Sequence, residues 1–229
     1  MPLATISLRR PLGSYAKAQA LVGRLIRNRR FQLRRERVRR LARLDVGCGP
    51  NLHEQLINLD YLWRPGVDVC WDISRGLPFP GASLQGVFSE HCLEHFPLPG
   101  GLALLREMRR VLVPGGTVRI VVPDGELYLL IYASRVAGGV PRKFPYEEAE
   151  RNQPLWTPMS SVNRIFYQDR ESLAGHRTIF DQALMSAALS HCGFTRIERC
   201  QFRQGRDPVL LIDTPERQIE SLYVEASAG

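Results

Sequence analysis

The chain has 229 residues, 44% of them hydrophobic, and a net charge of +8. This length suits one α/β domain with additions, and the hydrophobic share argues against global disorder. No apolar run approaches the ~20 residues of a membrane span, and the Leu21–Ile26 run is cut by Arg24 and followed by arginines, so neither a spanning helix nor a signal peptide is expected. The expected location is the cytoplasm, including its membrane face.

In chain order, the first feature is a basic arm. Residues 1–43 hold 13 of the 31 Lys and Arg but one of the 23 acids, Glu36, so residues 44–229, with 18 basic and 22 acidic side chains, are net negative. Arginines from Arg24 to Arg43 surround a thin apolar series of Leu21, Val22, Leu25, Ile26, Leu33, Val38 and Leu41. The spacing predicts a partly amphipathic helix. It either packs on a sheet edge or uses residues 21–43 to touch an anionic surface, membrane or nucleic acid. Lys17 and Lys143 are the only lysines, so arginine richness belongs to the whole chain and adds little to the second alternative.

The apolar run Leu41–Val46 then meets Gly47 and Gly49, which predicts a buried strand breaking sharply at its carboxyl end. Open α/β sheets bind ligands beyond such ends, and glycine lets the backbone approach them. Leu52–Leu56 is predicted as a short helix, Leu56–Asp60 as a second strand and Val67–Trp71 as a third, ending at Asp72. After the loop Leu77–Gly81, a fourth strand over Leu84–Ser89 has Glu90-His91-Cys92-Leu93-Glu94-His95 at its exit. Gly101–Leu112 has the spacing of an amphipathic helix, stopped by Pro114-Gly115-Gly116, and Thr117–Val122 is the most strand-like run. This alternation predicts a mostly parallel, doubly wound sheet.

From Asp124 to His176 the alternation is lost. Glu126–Val136 can form a helix, and Gly138-Gly139, Pro141, Pro145, Pro154 and Pro158 then interrupt a stretch carrying Phe144, Tyr146, Trp156, Phe166 and Tyr167. Placed after a strand end, an insertion over about 124–176 predicts a substrate lid. Regularity returns with a helix over Asp181–Cys192 and strands over Thr195–Phe202 and Ser221–Ala226. The five cysteines, Cys48, Cys70, Cys92, Cys192 and Cys200, are odd in number and lack C-x-x-C spacing, so reduced thiols are expected.

Several pieces resemble, in order, the class I S-adenosylmethionine-dependent methyltransferases, and more closely small bacterial methyltransferase-domain proteins tied to cell-surface polysaccharide genes. They are Leu44-Asp45-Val46-Gly47-Cys48-Gly49, Asp60, the Asp72–Phe79 segment, Cys92-Leu93-Glu94-His95 and Arg110 to Gly116, within residues 41–124. The dinucleotide fingerprint G-x-G-x-x-G is not met, since Leu52 stands where its third glycine belongs. The resemblance implies a Rossmann-like, mostly parallel seven-stranded sheet with an antiparallel last strand. Residues 44–229 would form that domain, residues 1–43 the helical arm, and S-adenosyl-L-methionine would be the cofactor.

It also implies roles. Gly47, Cys48 and Gly49 would lie along the methionine and ribose, Asp45 would organise the loop, and Asp60 would accept the ribose hydroxyls. Asp72 would receive the adenine amino group, with Ile73 against the ring, and Glu90 and His91 would face the acceptor, Glu90 also bordering the cofactor. Pro50-Asn51 departs from the pattern, standing where many relatives have another glycine, and stiffens the turn.

Transfer of a methyl group from a sulfonium needs alignment, and a base only where the acceptor must lose a proton. No metal is required, and the acids show no metal-ligand spacing. Candidate catalytic residues are Glu90, His91 and His176, with Glu94 as a further candidate base and His95 more suited to supporting the turn. Arg164, Tyr167 and Arg177 suit either substrate contacts or lid packing. The implied acceptor is a small molecule or a glycan or sugar hydroxyl. The rivals are RNA methylation through the arm and a non-catalytic protein that binds partners or membrane.

Overall fold

The computed structural model describes residues 14–139, 142–151, 156–167 and 175–229, the side chains of residues 14–17 and 167 excepted. Pro141, Pro154 and the Tyr167 side chain of the expected lid therefore lie outside the described residues. Seven strands, β1 (Arg43–Val46), β2 (Ile57–Asp60), β3 (Val69–Cys70), β4 (Leu84–Glu90), β5 (Leu112–Pro123), β6 (Phe194–Cys200) and β7 (Ser221–Ala228), form one sheet in the order β3-β2-β1-β4-β5-β7-β6. The first five run parallel and β7 lies antiparallel between β5 and β6. This is the Rossmann-like sheet expected. Its strand order reverses at β1 and β4, which opens a crevice at their carboxyl ends.

Side chains alternate across the sheet as strand geometry requires. Val118, Ile120 and Val122 of β5 and Leu222, Val224 and Ala226 of β7 enter the main core. That core is covered by α3 (Leu98–Val111) through Leu104, Leu105 and Met108, and by α7 (Gln182–His191) through Met185 and Leu189. Asp181 starts α7, its Oδ1 accepting the Leu184 N–H at 2.7 Å.

On the other face Leu56, Phe88, Val121, Leu210 and Tyr223 form a smaller core, closed by the segment 201–214. Arg119 of β5 points into this face and is fully buried. Its guanidinium donates to Asp213 at 2.7 and 2.5 Å, to Glu225 at 3.0 Å, and to the carbonyls of Gln201 and Gln204 at 3.0 Å each. The backbone N–H groups of Arg203 and Arg206 complete the shell of the two carboxylates.

Three local expectations change. Leu52–Leu56 is not helical. The segment is instead held from outside, Arg37 of α2 (Glu36–Arg40) donating to the carbonyls of His53, Glu54 and Leu56 at 2.6 to 2.8 Å and the Asn58 side chain bonding both the N–H and the carbonyl of His53. Helix α3 ends at Val111, before Pro114-Gly115-Gly116, which instead lie in β5 where its register with β4 shifts. A Cβ on Gly116 would stand 2.9 Å from Val113 O and 3.0 Å from Gln85 O, so this bulge needs glycine.

The 124–176 insertion is also more regular than expected. It contains α4 (Gly125–Val136), a short α5 (Glu147–Glu150) and α6 (Pro158–Tyr167), with a core of Tyr128, Ile131, Phe144, Val162 and Ile165. Pro158, which suggests a break in the sequence, opens α6, where its missing N–H is harmless. Tyr128, Tyr146 and Arg164 all donate to Glu220, tying the insertion to the start of β7.

The described part of the arm contains α1 (Ser14–Ile26) and packs on the β3 edge, where the Asn28 N–H donates to the Cys70 carbonyl at 3.1 Å. Gln32, fully buried, accepts the Cys70 N–H at 2.8 Å and donates back to the Cys70 carbonyl at 3.3 Å. Arg37 pairs with Asp68 at 3.0 Å, and Arg27 donates to Tyr61 O at 2.9 Å. All five cysteines are free thiols. Among the described residues, no helix is long and apolar enough to cross a membrane.

Replacing Arg119 by Met would leave Asp213 and Glu225 buried without their cation. We expect a loss of about 3–5 kcal/mol in the free energy of unfolding, measured by denaturant titration. A loss under ~1 kcal/mol would contradict the anchoring role given to this residue.

Candidate functional site

At the end of β1 the chain turns through Gly47 (φ +78°) and Gly49 (φ +55°). The N–H groups of Gly47 and Cys48 both donate to Leu59 O, at 2.9 and 3.1 Å, so the turn is tied to β2. Asp60 ends β2. Its Oδ2 accepts the Gly49 N–H at 2.8 Å and its Oδ1 the Leu62 N–H at 2.7 Å, leaving each oxygen a further lone pair. The two glycines differ in what surrounds them. A Cβ on Gly47 would stand 2.6 Å from Cys92 Sγ, whereas the space above Gly49 holds nothing nearer than Gly47 O at 4.0 Å.

Asp45 lies almost wholly buried beneath this turn. Burial, followed by the charges of Glu90 and Asp60, holds its carboxyl well above the usual range. Burial also raises Glu90, opposed by hydrogen bonds from the Thr214 N–H at 2.9 Å and the Thr214 hydroxyl. Asp45, Asp60 and Glu90 thus gather three carboxylates at the ends of adjacent strands. Such a site favours a cation and opposes a pyrophosphate. The Cys48 thiol is buried and its pKa driven upward by that burial, so it stays protonated.

Beyond β3, Asp72 caps a short turn, its Oδ1 accepting from the Ser74 N–H at 3.1 Å and the Ser74 hydroxyl at 2.6 Å. Ile73 follows, packed partly against the main core. The Trp71 N–H donates to Asp60 O at 2.9 Å, so this turn adjoins the tip of β2.

A second group forms at the exit of β4. His91 has a left-handed backbone (φ +47°), and its Nε2 lies 2.9 Å from Ser221 Oγ. Its Nδ1 is 3.5 Å from Glu94 Oε1, and His95 Nε2 is 3.9 Å from the same oxygen. Glu94 is 1% exposed, and neither carboxylate oxygen has a hydrogen-bond partner. Burial pushes its pKa up to about 8. Burial lowers the pKa of His91 well below the imidazole range, aided by Arg217, and lowers His95 and His176 as well.

His176 reaches this group from the end of the insertion. The N–H groups of Arg177 and Thr178 donate to Glu94 O at 2.8 and 3.1 Å, and Thr178 Oγ1 donates to Phe96 O at 2.8 Å. The His95 and His176 ring centroids are 5.2 Å apart. Arg164 is occupied elsewhere, pairing with Glu150 at 2.6 Å and Glu220 at 3.2 Å, and Arg177 is exposed.

Sequence reasoning missed Thr214. It holds Glu90 and accepts from Asn51 Nδ2 at 3.0 Å, linking the stiffened Pro50-Asn51 turn to the segment 201–214. The departure at Pro50-Asn51 was the one local signal.

Residues 63–120 match the family model described as a methyltransferase domain. No curated protein matches the chain. Among solved structures, the apo S-adenosylmethionine-dependent methyltransferase SibL is similar at 22% identity and TM-score 0.44, over 82% of this chain and 50% of that one. An S-adenosylmethionine-dependent methyltransferase from Thermotoga maritima is similar at 14% identity and TM-score 0.48, over 94% of this chain and 95% of that one. One from Mesorhizobium loti is similar at 18% identity and TM-score 0.46, over 82% of this chain and 90% of that one. The chain therefore spans half the length of SibL and most of the other two.

The two glycines give separable outcomes. Gly47→Ala should cost about 2–4 kcal/mol of stability through its clash with Cys92 and its left-handed backbone, whereas Gly49→Ala should cost about 1 kcal/mol. Gly49→Ala should nevertheless weaken binding of any ligand that lies along this turn, because its methyl group enters the open space. Thermal melts and calorimetry separate the effects, and equal behaviour of the two variants would refute the assignment.

Asp45 predicts a pH dependence. A cation bound beside it lowers its raised pKa and expels a proton, so binding should tighten as pH rises through the Asp45 titration of the free protein. Calorimetry in buffers of different ionisation enthalpy should register proton release, and proton uptake would contradict the site.

Proposed function

We propose that this chain, a class I S-adenosylmethionine-dependent methyltransferase by its sheet order and its matched domain, methylates a hydroxyl of a sugar or glycan acceptor. The observation that carries this reading is the meeting of two environments at one crevice. Carboxylates cluster on the glycine-turn side, and uncharged imidazoles surround Glu94 at the β4 exit.

In this reading the backbone of Gly47, Cys48 and Gly49 lies along the methionine, and Asp45 and Glu90 balance the positive charge. Asp60 receives the ribose hydroxyls on its remaining lone pairs. The oxygen of Asp72 that does not cap its turn takes the adenine amino group, with Ile73 against the ring. The bound cofactor supplies a methyl group on a sulfonium, a good leaving group. What remains for the chain is alignment and removal of the acceptor's proton. His91, buried and uncharged, is the candidate base, and Glu94 Oε1 at 3.5 Å would stabilise the imidazolium that forms. A hydroxyl acceptor needs such a base.

The insertion 124–176 is an acceptor-side lid in this reading, with His176 at its inner end, and residues 1–43 are an arm added to the domain 44–229, docked on it through Gln32 and Val38. Leu21, Leu25 and Phe31 are 58%, 65% and 52% exposed beside exposed Arg24, Arg29, Arg30 and Arg34, which suits anionic lipid better than RNA. Peripheral attachment at the cytoplasmic membrane face follows as part of the proposal.

Calorimetry should detect binding of both S-adenosylmethionine and S-adenosylhomocysteine, weakened by about 1.5–3 kcal/mol in Asp60→Ala. No heat and no thermal stabilisation with either compound would favour a non-catalytic binding protein. With methyl-labelled donor, label should pass to nucleotide sugars or lipid-linked saccharides. His91→Ala should abolish that transfer and change cofactor affinity by less than about twofold. Label passing to RNA instead would overturn the acceptor class.

A further inference from the structure

We propose that Glu94, His95 and His176 form a binding site for a divalent first-row transition-metal ion. One donor atom from each lies within 4.8 Å of the others. Bonds of ~2.1 Å in a tetrahedral site would put donors roughly 3.4 Å apart, so the three close on an ion by side-chain movements of about 1 Å.

The Glu94 carboxylate supplies an independent argument. It is 1% exposed and both of its oxygens lack a hydrogen-bond partner, so as an acid it leaves a buried O–H unpaired and as a carboxylate a buried charge unpaired, and both are unfavourable. A bound cation resolves this.

The two imidazoles are also oriented as ligands. His95 Nδ1 lies 3.3 Å from the Gly175 carbonyl and His176 Nδ1 lies 2.7 Å from the Ile165 carbonyl. A carbonyl only accepts, so His176 Nδ1 carries the hydrogen and its Nε2 keeps its lone pair, and the His95 tautomer that donates to Gly175 presents Nε2 in the same way. A backbone carbonyl or carboxylate behind the far ring nitrogen is the usual outer support of a metal-bound histidine. The supports are held in turn, because the segment from Gly175 to Thr178 is hydrogen-bonded to the Glu94 turn.

Two imidazoles and one carboxylate suit zinc, iron, cobalt or nickel over magnesium or calcium. Three protein ligands leave a coordination position open, and His95 and His176 are partly exposed. The site stands without the methyl-transfer reading; its role toward the acceptor rests on it. With an ion bound, the site would supply Lewis acidity to a hydroxyl at the open position, and His91, whose Nδ1 is 3.5 Å from Glu94 Oε1, would take its proton.

The test uses the full-length chain, stripped with a chelator and dialysed, then titrated with cobalt(II) and with zinc(II) by calorimetry and visible spectroscopy. One ion per chain is expected, with cobalt absorption bands that lack thiolate charge transfer and with displacement of cobalt by zinc. His176→Ala, at a partly exposed position, and Glu94→Gln, which keeps the shape of the buried side chain, should each weaken binding by about a hundredfold or more. Circular dichroism checks that each variant is folded, and His53→Ala should bind as the unaltered chain does. Less than one ion per chain, thiolate bands, or unchanged affinity in folded His176→Ala would overturn the proposal. Cofactor binding to the metal-free protein is titrated in parallel, so loss of the metal site and loss of the methyltransferase reading give different results.

Discussion

The burial of Arg119 constrains the rest of the molecule. A guanidinium on a central strand, with no access to water, must find its partners within the protein, and it finds them in Asp213, Glu225 and two carbonyls of the segment 201–214. Gathering them fixes a stretch of chain that has little regular structure of its own. The stability gained is modest, because desolvation offsets much of the ion-pair attraction. The positional consequence is larger: residue 214, beside Asp213, is delivered to Glu90 and Asn51 at the ligand crevice. The face of the sheet covered by the segment 201–214 is therefore ordered by charge beside its small apolar core, and the opposite face by hydrocarbon.

The crevice is divided electrostatically. On the side of β1 and β2, carboxylates that would repel one another in a closed site are held together by backbone N–H groups, Thr214 and burial. On the β4 side, imidazoles that lack charge surround a carboxylate with no hydrogen-bond partner. The two sides meet within the few residues from Glu90 to His95. A left-handed residue at His91 turns the chain between them, a conformation that histidine adopts more readily than most side chains.

The sequence made the strands and the glycine turn legible because they carry local signals, short apolar runs and two glycines one residue apart. The acids at strand ends were legible for the same reason. Pairings between distant segments were not. Nothing near Arg119 announces Asp213, nothing near Glu90 announces Thr214, and Glu94 is separated by most of the insertion from His176. The segment Leu52–Leu56, expected as a helix, is likewise held by distant or later residues, Arg37 and the Asn58 side chain, that nothing within it announces. Helix α6 was hidden because proline signals both the interruption of a helix and its first turn.

Gln32 has a consequence beyond anchoring the arm. A primary amide presents one acceptor and one donor side by side, the same pair that a neighbouring strand would offer to Cys70. With both directions of that pairing satisfied by one side chain, the outer edge of β3 has no backbone groups at Cys70 left to recruit another polypeptide. The far edge is protected differently, since β6 is bulged between Thr195 and Glu198, twisted at the left-handed Arg196, and lined with charge at Arg196, Glu198 and Arg199. An open seven-stranded sheet thus remains unavailable for edge-to-edge growth, at one border through the Gln32 amide helped by Asn28 and Arg35 and at the other through distortion and charge.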